Sequence, residues 1–140
     1  MKKVHEIMTT HFQAIPATAT LREVAIVMYG LDVGMLPVTD DGRLCGVITD
    51  RDVVLRAVAA GYNPTTTMIG QIMTRSVIHL YEDDDVTKAA TVIEENQISR
   101  LVVVNQKDKP VGIVSRGDFA MEACDLDLTE EVFTGVSKLA

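Results

Sequence analysis

The 140 residues carry 20 Asp and Glu against 13 Lys and Arg, a net charge of −7, and that balance opposes the counterion release that drives nucleic-acid binding. No stretch approaches the run of about 20 apolar residues that a membrane span needs, and His5, Glu6 and His11 break the apolar run that a signal peptide would place after Met1-Lys2-Lys3. The apolar fraction of 47% without a single Trp predicts an aliphatic core, and Cys45 and Cys124, which lack metal-ligand or redox spacing, fit a reducing cytoplasm.

In chain order, Leu21, Val24, Ala25, Val27 and Met28 recur at helical spacing, and Thr20 with Glu23 three residues on forms a capping-box signature at the front. A helix is predicted from Leu21, its end bracketed by Gly30 and Gly34. Met35 to Thr39 is short, apolar and partly β-branched, as expected of a buried strand. Asp40-Asp41-Gly42-Arg43 is a turn, and Leu44 to Thr49 forms a second strand, antiparallel because so short a connection allows nothing else. Val53, Val54, Ala57 and Val58 mark a helix that Gly61 stops. Tyr62 to Thr67 is a linker, with Pro64 and the Thr run arguing against helix. Asp85 then caps a helix carrying Val86, Ala89, Ala90, Val92 and Ile93. Leu101 to Val104 and Pro110 to Ser115 flank a turn at Asn105 to Lys109, and Phe119, Met121 and Ala123 lie on the next helix. A short helix is expected through Val132, Phe133 and Val136.

These elements are one unit written twice. Gly46-Val47-Ile48-Thr49-Asp50-Arg51-Asp52 returns as Gly112-Ile113-Val114-Ser115-Arg116-Gly117-Asp118, and Ile7-Met8-Thr9 returns as Ile72-Met73-Thr74. Each unit reads strand, helix, strand, strand, helix, and two copies of one fold are expected to pack face to face.

The duplicated motif puts a hydroxyl and a carboxylate three residues apart where a strand turns into a helix. Unpaired N–H groups and partial positive charge at a helix start suit a phosphate, to which the Thr49 hydroxyl adds a donor, while the two oxygens of Asp52 can accept both hydroxyls of a ribose. Ser115 and Asp118 repeat the arrangement. The same spacing is equally a capping box with no ligand at all, and duplication copies a cap as faithfully as a site. His5, His11 and His79 share no ligand spacing, and Glu82 to Asp85 reads as a solvated acidic loop. Met8 and Met73 are expected to pack. With no Ser/His/Asp set, Cys nucleophile setting or Walker loop, the chain is not expected to be an enzyme.

Two tandem units, each opening with Ile-Met-Thr and closing with Gly-aliphatic-aliphatic-Thr/Ser-x-x-Asp, resemble the CBS-domain family over residues 4–124. The resemblance implies an α+β fold of two β-α-β-β-α motifs, at residues 1–62 and 69–124, joined by a linker at 63–68 and followed by an extension at 125–140. It implies sheets packed with pseudo-twofold symmetry, a homodimer, and clefts for AMP, ADP, ATP or S-adenosylmethionine. By the family's pattern, Thr49 and Asp52 share a cleft with Val77, Ile78, Ile98, Ser99 and Arg100, and Ser115 and Asp118 share the other with Phe12, Gln13, Val33, Gly34 and Met35. Arg51 and Arg116 adjoin the motifs as further phosphate contacts. Arg100 aligns with Met35, so the cleft that holds the arginine is expected to take phosphorylated adenosine more tightly. A stand-alone regulatory sensor follows, with a structural module whose clefts stay empty, or a metal- or redox-responsive protein, as the alternatives.

Overall fold

The computed structural model describes residues 2–75 and 77–126, with side chains described as far as Glu122. The predicted helix through Val132, Phe133 and Val136 lies outside the described residues, as does the side chain of Cys124. The elements run β1 (Ile15–Pro16), α1 (Leu21–Leu31), β2 (Met35–Asp40), β3 (Arg43–Thr49), α2 (Asp50–Asp52) continuing as a π-helical segment (Val53–Val58), then β4 (His79–Tyr81), α3 (Val86–Asn96), β5 (Arg100–Val104), β6 (Pro110–Ser115) and α4 (Arg116–Leu126). The strands form two three-stranded sheets, ordered β1-β2-β3 and β4-β5-β6, so the expected α+β architecture with its repeated element order is present.

Local chemistry accounts for most boundaries. Thr20 accepts from the Glu23 N–H while Glu23 accepts from the Thr20 N–H, the reciprocal box that starts α1. The helix ends between Gly30 and Gly34, but the left-handed residue that closes it is Asp32 (φ 53°), and Gln97 (φ 52°) does the same for α3. β2 and β3 are antiparallel, from Met35 opposite Thr49 to Asp40 opposite Arg43. Their two-residue turn, Asp41 and Gly42, has positive φ at both positions, the combination a right-twisted hairpin favours. A bulge between Val38 and Thr39 leaves Cys45 as the unpaired residue of β3, half-buried.

Two expectations need correction. Asp85 occupies the cap position of α3 but makes no capping bond, because its carboxylate is taken by the Lys3 ammonium at 2.8 Å. The helix after Thr49 is not an α-helix beyond Asp52: Ala59 N–H donates to the Val54 carbonyl and Tyr62 N–H to Ala57, five-residue steps that widen it into a π turn.

The compact units of the fold cut across the sequence repeats. The β1–β3 unit comprises Gln13–Val77 and Asp108–Pro110, while the β4–β6 unit takes the described residues up to Phe12, Ile78–Lys107 and those from Val111 onward. Each Ile-Met-Thr segment therefore packs with the other repeat's strands. Thr74 exchanges backbone hydrogen bonds with Val47 at 2.9 and 3.0 Å, and Thr9 does so with Ile113 at 2.8 and 3.0 Å. Ile72 and Met73 join Val24, Leu36 and Ile48 in one aliphatic core, and Val4 joins Leu80, Leu101 and Phe119 in the other. The methionines explain the motif glycines. A Cβ on Gly46 would stand 2.6 Å from the Thr74 carbonyl oxygen and 2.9 Å from the Met73 sulfur, and one on Gly112 would collide with the Met8 sulfur.

Candidate functional site

The two strand-to-helix corners share one hydrogen-bond scheme. The Thr49 hydroxyl accepts from the Asp52 N–H at 3.0 Å and Asp52 Oδ2 accepts from the Thr49 N–H at 3.1 Å. At the second corner the Ser115 hydroxyl accepts from the Asp118 N–H at 3.3 Å and Asp118 Oδ2 accepts from the Ser115 N–H at 2.8 Å. Both corners are thus capping boxes, the reading that needs no ligand. Each hydroxyl keeps its own proton to donate, and each carboxylate uses one oxygen, Oδ2, in its box. Asp52 Oδ1 faces Arg56 Nε at 3.6 Å, and Arg56 also donates to the Ile72 carbonyl at 3.2 Å, so this corner is laced to the Ile-Met-Thr segment.

Backbone bonds decide what else each corner gathers within its own unit. The Asp50 N–H donates to the Gly34 carbonyl at 2.9 Å, and Met35 lies opposite Thr49 in the ladder. Val33, Gly34 and Met35 are thereby drawn to Thr49 and Asp52. A Cβ on Gly34 would stand 2.9 Å from Asp50 Oδ2, so a larger residue here would displace the Asp50 carboxylate. In the β4–β6 unit the Arg116 N–H donates to the Ser99 carbonyl at 3.1 Å and Arg116 Nε to the Ile98 carbonyl at 3.2 Å. Ile98, Ser99 and Arg100 are thereby drawn to Ser115 and Asp118. The family resemblance implies the opposite grouping, in clefts shared between the two motifs; the bonds here join each set to the corner of its own unit.

The Thr74–Val47 and Thr9–Ile113 pairings carry Val77 and Phe12 into the units of Thr49 and Ser115 respectively. Gln13 falls in the β1–β3 unit and Ile78, 44% exposed, in the β4–β6 unit. Arg100 and Arg51 are exposed, and their side chains make no hydrogen bond or ion pair among the described residues. Two groups that sequence spacing could not offer also enter: Asp50, beside Gly34, and Arg56, which braces Asp52.

Elsewhere, burial pushes the Cys45 thiol above its ordinary value, Asp40 adding to the effect and Arg75 opposing it, which disfavours a reactive thiolate. Among the described residues no three of His, Cys, Asp and Glu converge as a metal site would require.

The CBS domain model matches residues 4–58 and 69–124. The chain belongs to the CBS domain family. It is 33% identical to Hypoxic response protein 1 of Mycobacterium tuberculosis over 86% of this chain and 84% of that protein. Among solved structures it resembles Hypoxic Response Protein I with two coordinated zinc ions, at a TM-score of 0.78, with 32% identity over 87% of this chain and 99% of the other. It also resembles the CBS domain pair of protein MJ0100 in complex with 5′-methylthioadenosine and S-adenosyl-L-methionine, at a TM-score of 0.75, with 28% identity over 90% of this chain and 98% of the other. The tandem repeat is therefore a CBS pair.

Proposed function

We propose that this CBS pair is a regulatory module that binds adenosine-containing ligands at its two Thr/Ser-x-x-Asp corners and passes the binding signal through a homodimer. The observation that carries the reading is the duplicated corner, built with the same bonds in both units of a chain whose relative, the MJ0100 pair, holds 5′-methylthioadenosine and S-adenosyl-L-methionine. Asp52 and Asp118 accept the ribose hydroxyls, and the Thr49 and Ser115 hydroxyls donate to the ligand while accepting their caps. Apolar and backbone groups, Val33 and Val77 at one corner and Phe12 and Ile98 at the other, flank the base.

The corners divide the ligands by charge. Arg100 and Arg116 give the Ser115/Asp118 corner two guanidinium groups, which favour phosphate, as in AMP, ADP or ATP. At the Thr49/Asp52 corner Met35 stands in place of Arg100, Asp50 adds negative charge and Arg56 is engaged by Asp52, which leaves Arg51 as the remaining nearby cation and suits a neutral or cationic adenosine such as S-adenosylmethionine better. A ligand that prefers one state of the dimer supplies a coupling of about 1 to 3 kcal/mol.

A thermal-shift and calorimetry panel of AMP, ADP, ATP, NADH and S-adenosylmethionine tests this. Ligand at a hundred times its dissociation constant stabilises the native state by about 2.7 kcal/mol. Asp118→Ala is expected to remove AMP binding, and Arg100→Ala to weaken it about tenfold, the value of one charge-assisted contact. Arg100→Ala should add nothing to Asp118→Ala and should add fully to Asp52→Ala. The reverse pattern returns Arg100 to the Thr49 corner. If no adenosine ligand raises the melting temperature, the second reading holds, an interaction module whose hydroxyls and carboxylates serve as caps alone, which the capping bonds favour.

A further inference from the structure

We infer that Arg56 couples ligand binding at the Thr49/Asp52 corner to the seating of an arm, residues 69–74, that carries Ile72-Met73-Thr74. The inference rests on the adenosine reading proposed above and assigns the positioning residue through which that corner is regulated.

The two oxygens of Asp52 have different duties. Oδ2 accepts from the Thr49 N–H at 3.1 Å, and Oδ1 faces Arg56 Nε at 3.6 Å. That separation is within ion-pair reach and too long for a hydrogen bond, so Oδ1 is held in place while its lone pairs stay open to a ribose hydroxyl. The Asp52 side chain is 12% exposed, and water screens the attraction less there than at an open surface. Arg56 is itself oriented from the far side. Its Nη1 donates to the Ile72 carbonyl at 3.2 Å, and the arm is seated by the core that Ile72 and Met73 share with Val24 and Ile48 and by the two Thr74–Val47 bonds. The contacts therefore run from the arm through one guanidinium to the ligand-facing oxygen. An arm that lifts takes the Ile72 carbonyl from Arg56, and Asp52 loses its hold.

The backbone around Arg56 is the π turn, a rare geometry that recurs at functional sites. The other repeat supplies an internal control. Its helix is α-helical at the aligned place, and Glu122 stands where Arg56 stands. Glu122 pairs with Lys2 at 3.2 Å, in the segment that leads into Ile7-Met8-Thr9, but its sign is wrong for bracing Asp118, which makes no ion pair among the described residues. The contact with the arm is kept there and the link to the corner carboxylate is cut. One corner thus senses its arm and the other does not. Such a coupling is reciprocal: the factor by which a seated arm tightens the ligand is the factor by which bound ligand seats the arm. Arg56 is 53% exposed, so the factor lies at the low end of the usual range, about fivefold.

Calorimetry and hydrogen exchange of the full chain with 5′-methylthioadenosine test this, the probe being neutral so that Arg56 neither attracts nor repels it directly. The Thr74 N–H, bonded to the Val47 carbonyl, reports on the arm, and the Val24 N–H, bonded to the Thr20 carbonyl, reports on the unit as a whole. In the wild type, saturating probe is expected to raise Thr74 protection about fivefold. In Arg56→Met the ligand-free protection of Thr74 should fall relative to Val24, the affinity should fall by about the same fivefold, and the gain on saturation should vanish. Arg56→Lys, which keeps the charge on one nitrogen in place of the fork, should restore part of each, and a failure to restore any of them overturns the electrostatic hold. Undiminished binding in Arg56→Met, or a Thr74 gain that persists in it, overturns the coupling and leaves the adenosine reading standing. So does probe binding that survives Asp52→Ala, or AMP binding with none of the probe, since either places the adenosine site at the other corner. If neither AMP nor the probe binds, the adenosine reading falls and takes the coupling with it.

Discussion

The β1–β3 and β4–β6 units close their motif corners with the same pair of hydrogen bonds, yet they differ in almost everything those bonds support. In the first, Asp52 is braced by Arg56, which reaches the Ile72 carbonyl, and the helix opens into a π turn. In the second, α4 continues as an α-helix, and Glu122, which takes the place of Arg56 in the repeat, is buried against Lys2 at 3.2 Å. Duplication has kept the backbone scheme of the corner and released the charges around it. A corner is conserved in shape by its caps, and it is specialised by what stands next to them.

The largest expected effect separates the two glycine sockets. Gly46→Ala sets a methyl 2.6 Å from the Thr74 carbonyl oxygen, a backbone atom held by its own ladder bonds, whereas Gly112→Ala meets the side chain of Met8, which can swing aside. Overpacking of this kind costs about 1 to 3 kcal/mol. Gly46→Ala is expected near the upper end and Gly112→Ala near the lower, read from urea midpoints at constant m. Equal losses would mean that the Met8 segment is as rigid as the Thr74 segment.

The next effect separates the carboxylates. Removing a cap costs about 1 kcal/mol, which Asp118→Ala should show by itself. Asp52→Ala also deprives Arg56 of its partner and loosens its hold on Ile72, so its loss of stability in chemical denaturation should be greater. Asp52→Asn keeps the size and one acceptor oxygen, enough for the Thr49 N–H but not for Arg56 as well, so it should recover the cap's share of the loss and leave the difference due to Arg56. If the two alanine variants are equal, the Arg56 brace carries no weight.

The elements were legible because periodicity, caps and turn residues all act over three or four residues, and the repeat doubled each signal. The exchange of the Ile-Met-Thr segments was not legible, since a repeat in sequence says nothing about which copy a segment packs on; the Thr74–Val47 and Thr9–Ile113 backbone pairings reveal it. The π turn was hidden for a related reason: Val53 and Ala57 are four apart, which suits an α-helix equally. Thr49, Asp52, Ser115 and Asp118 could be named as corner residues from spacing alone. Their companions could not be sorted, because the bonds from Asp50 to Gly34 and from Arg116 to Ser99 join residues about sixteen positions apart through main-chain atoms, and main-chain atoms leave no trace in residue identity.

The smallest effect is also the most local. Thr20 bridges to Met68 at the front of α1, and the equivalent positions at the front of α3 are Asp85 and Lys3, so a neutral clasp in one unit is an ion pair in the other. The hydrogen bond and charge of Lys3 hold the Asp85 carboxyl below its ordinary value of 3.8, and Asp85 holds the Lys3 ammonium above 10.5. The lowered acid contributes stability that is fully present above 3.8 and is lost as pH falls through its depressed folded value. The raised amine contributes stability that is fully present below 10.5 and is lost as pH rises through its elevated folded value. The pair is exposed, so the consequence is confined to the clasp and weakens with salt. The Val86 N–H, bonded to the Lys2 carbonyl, reports on it, and the Leu21 N–H, bonded to the Thr67 carbonyl, is its counterpart in the other unit. Hydrogen-exchange protection of Val86, corrected for intrinsic rate, is expected to fall relative to Leu21 as the solution is acidified below 3.8. Lys3→Met, which copies the neutral residue of the other repeat, should abolish that divergence, and a divergence that persists in Lys3→Met would assign it to another group.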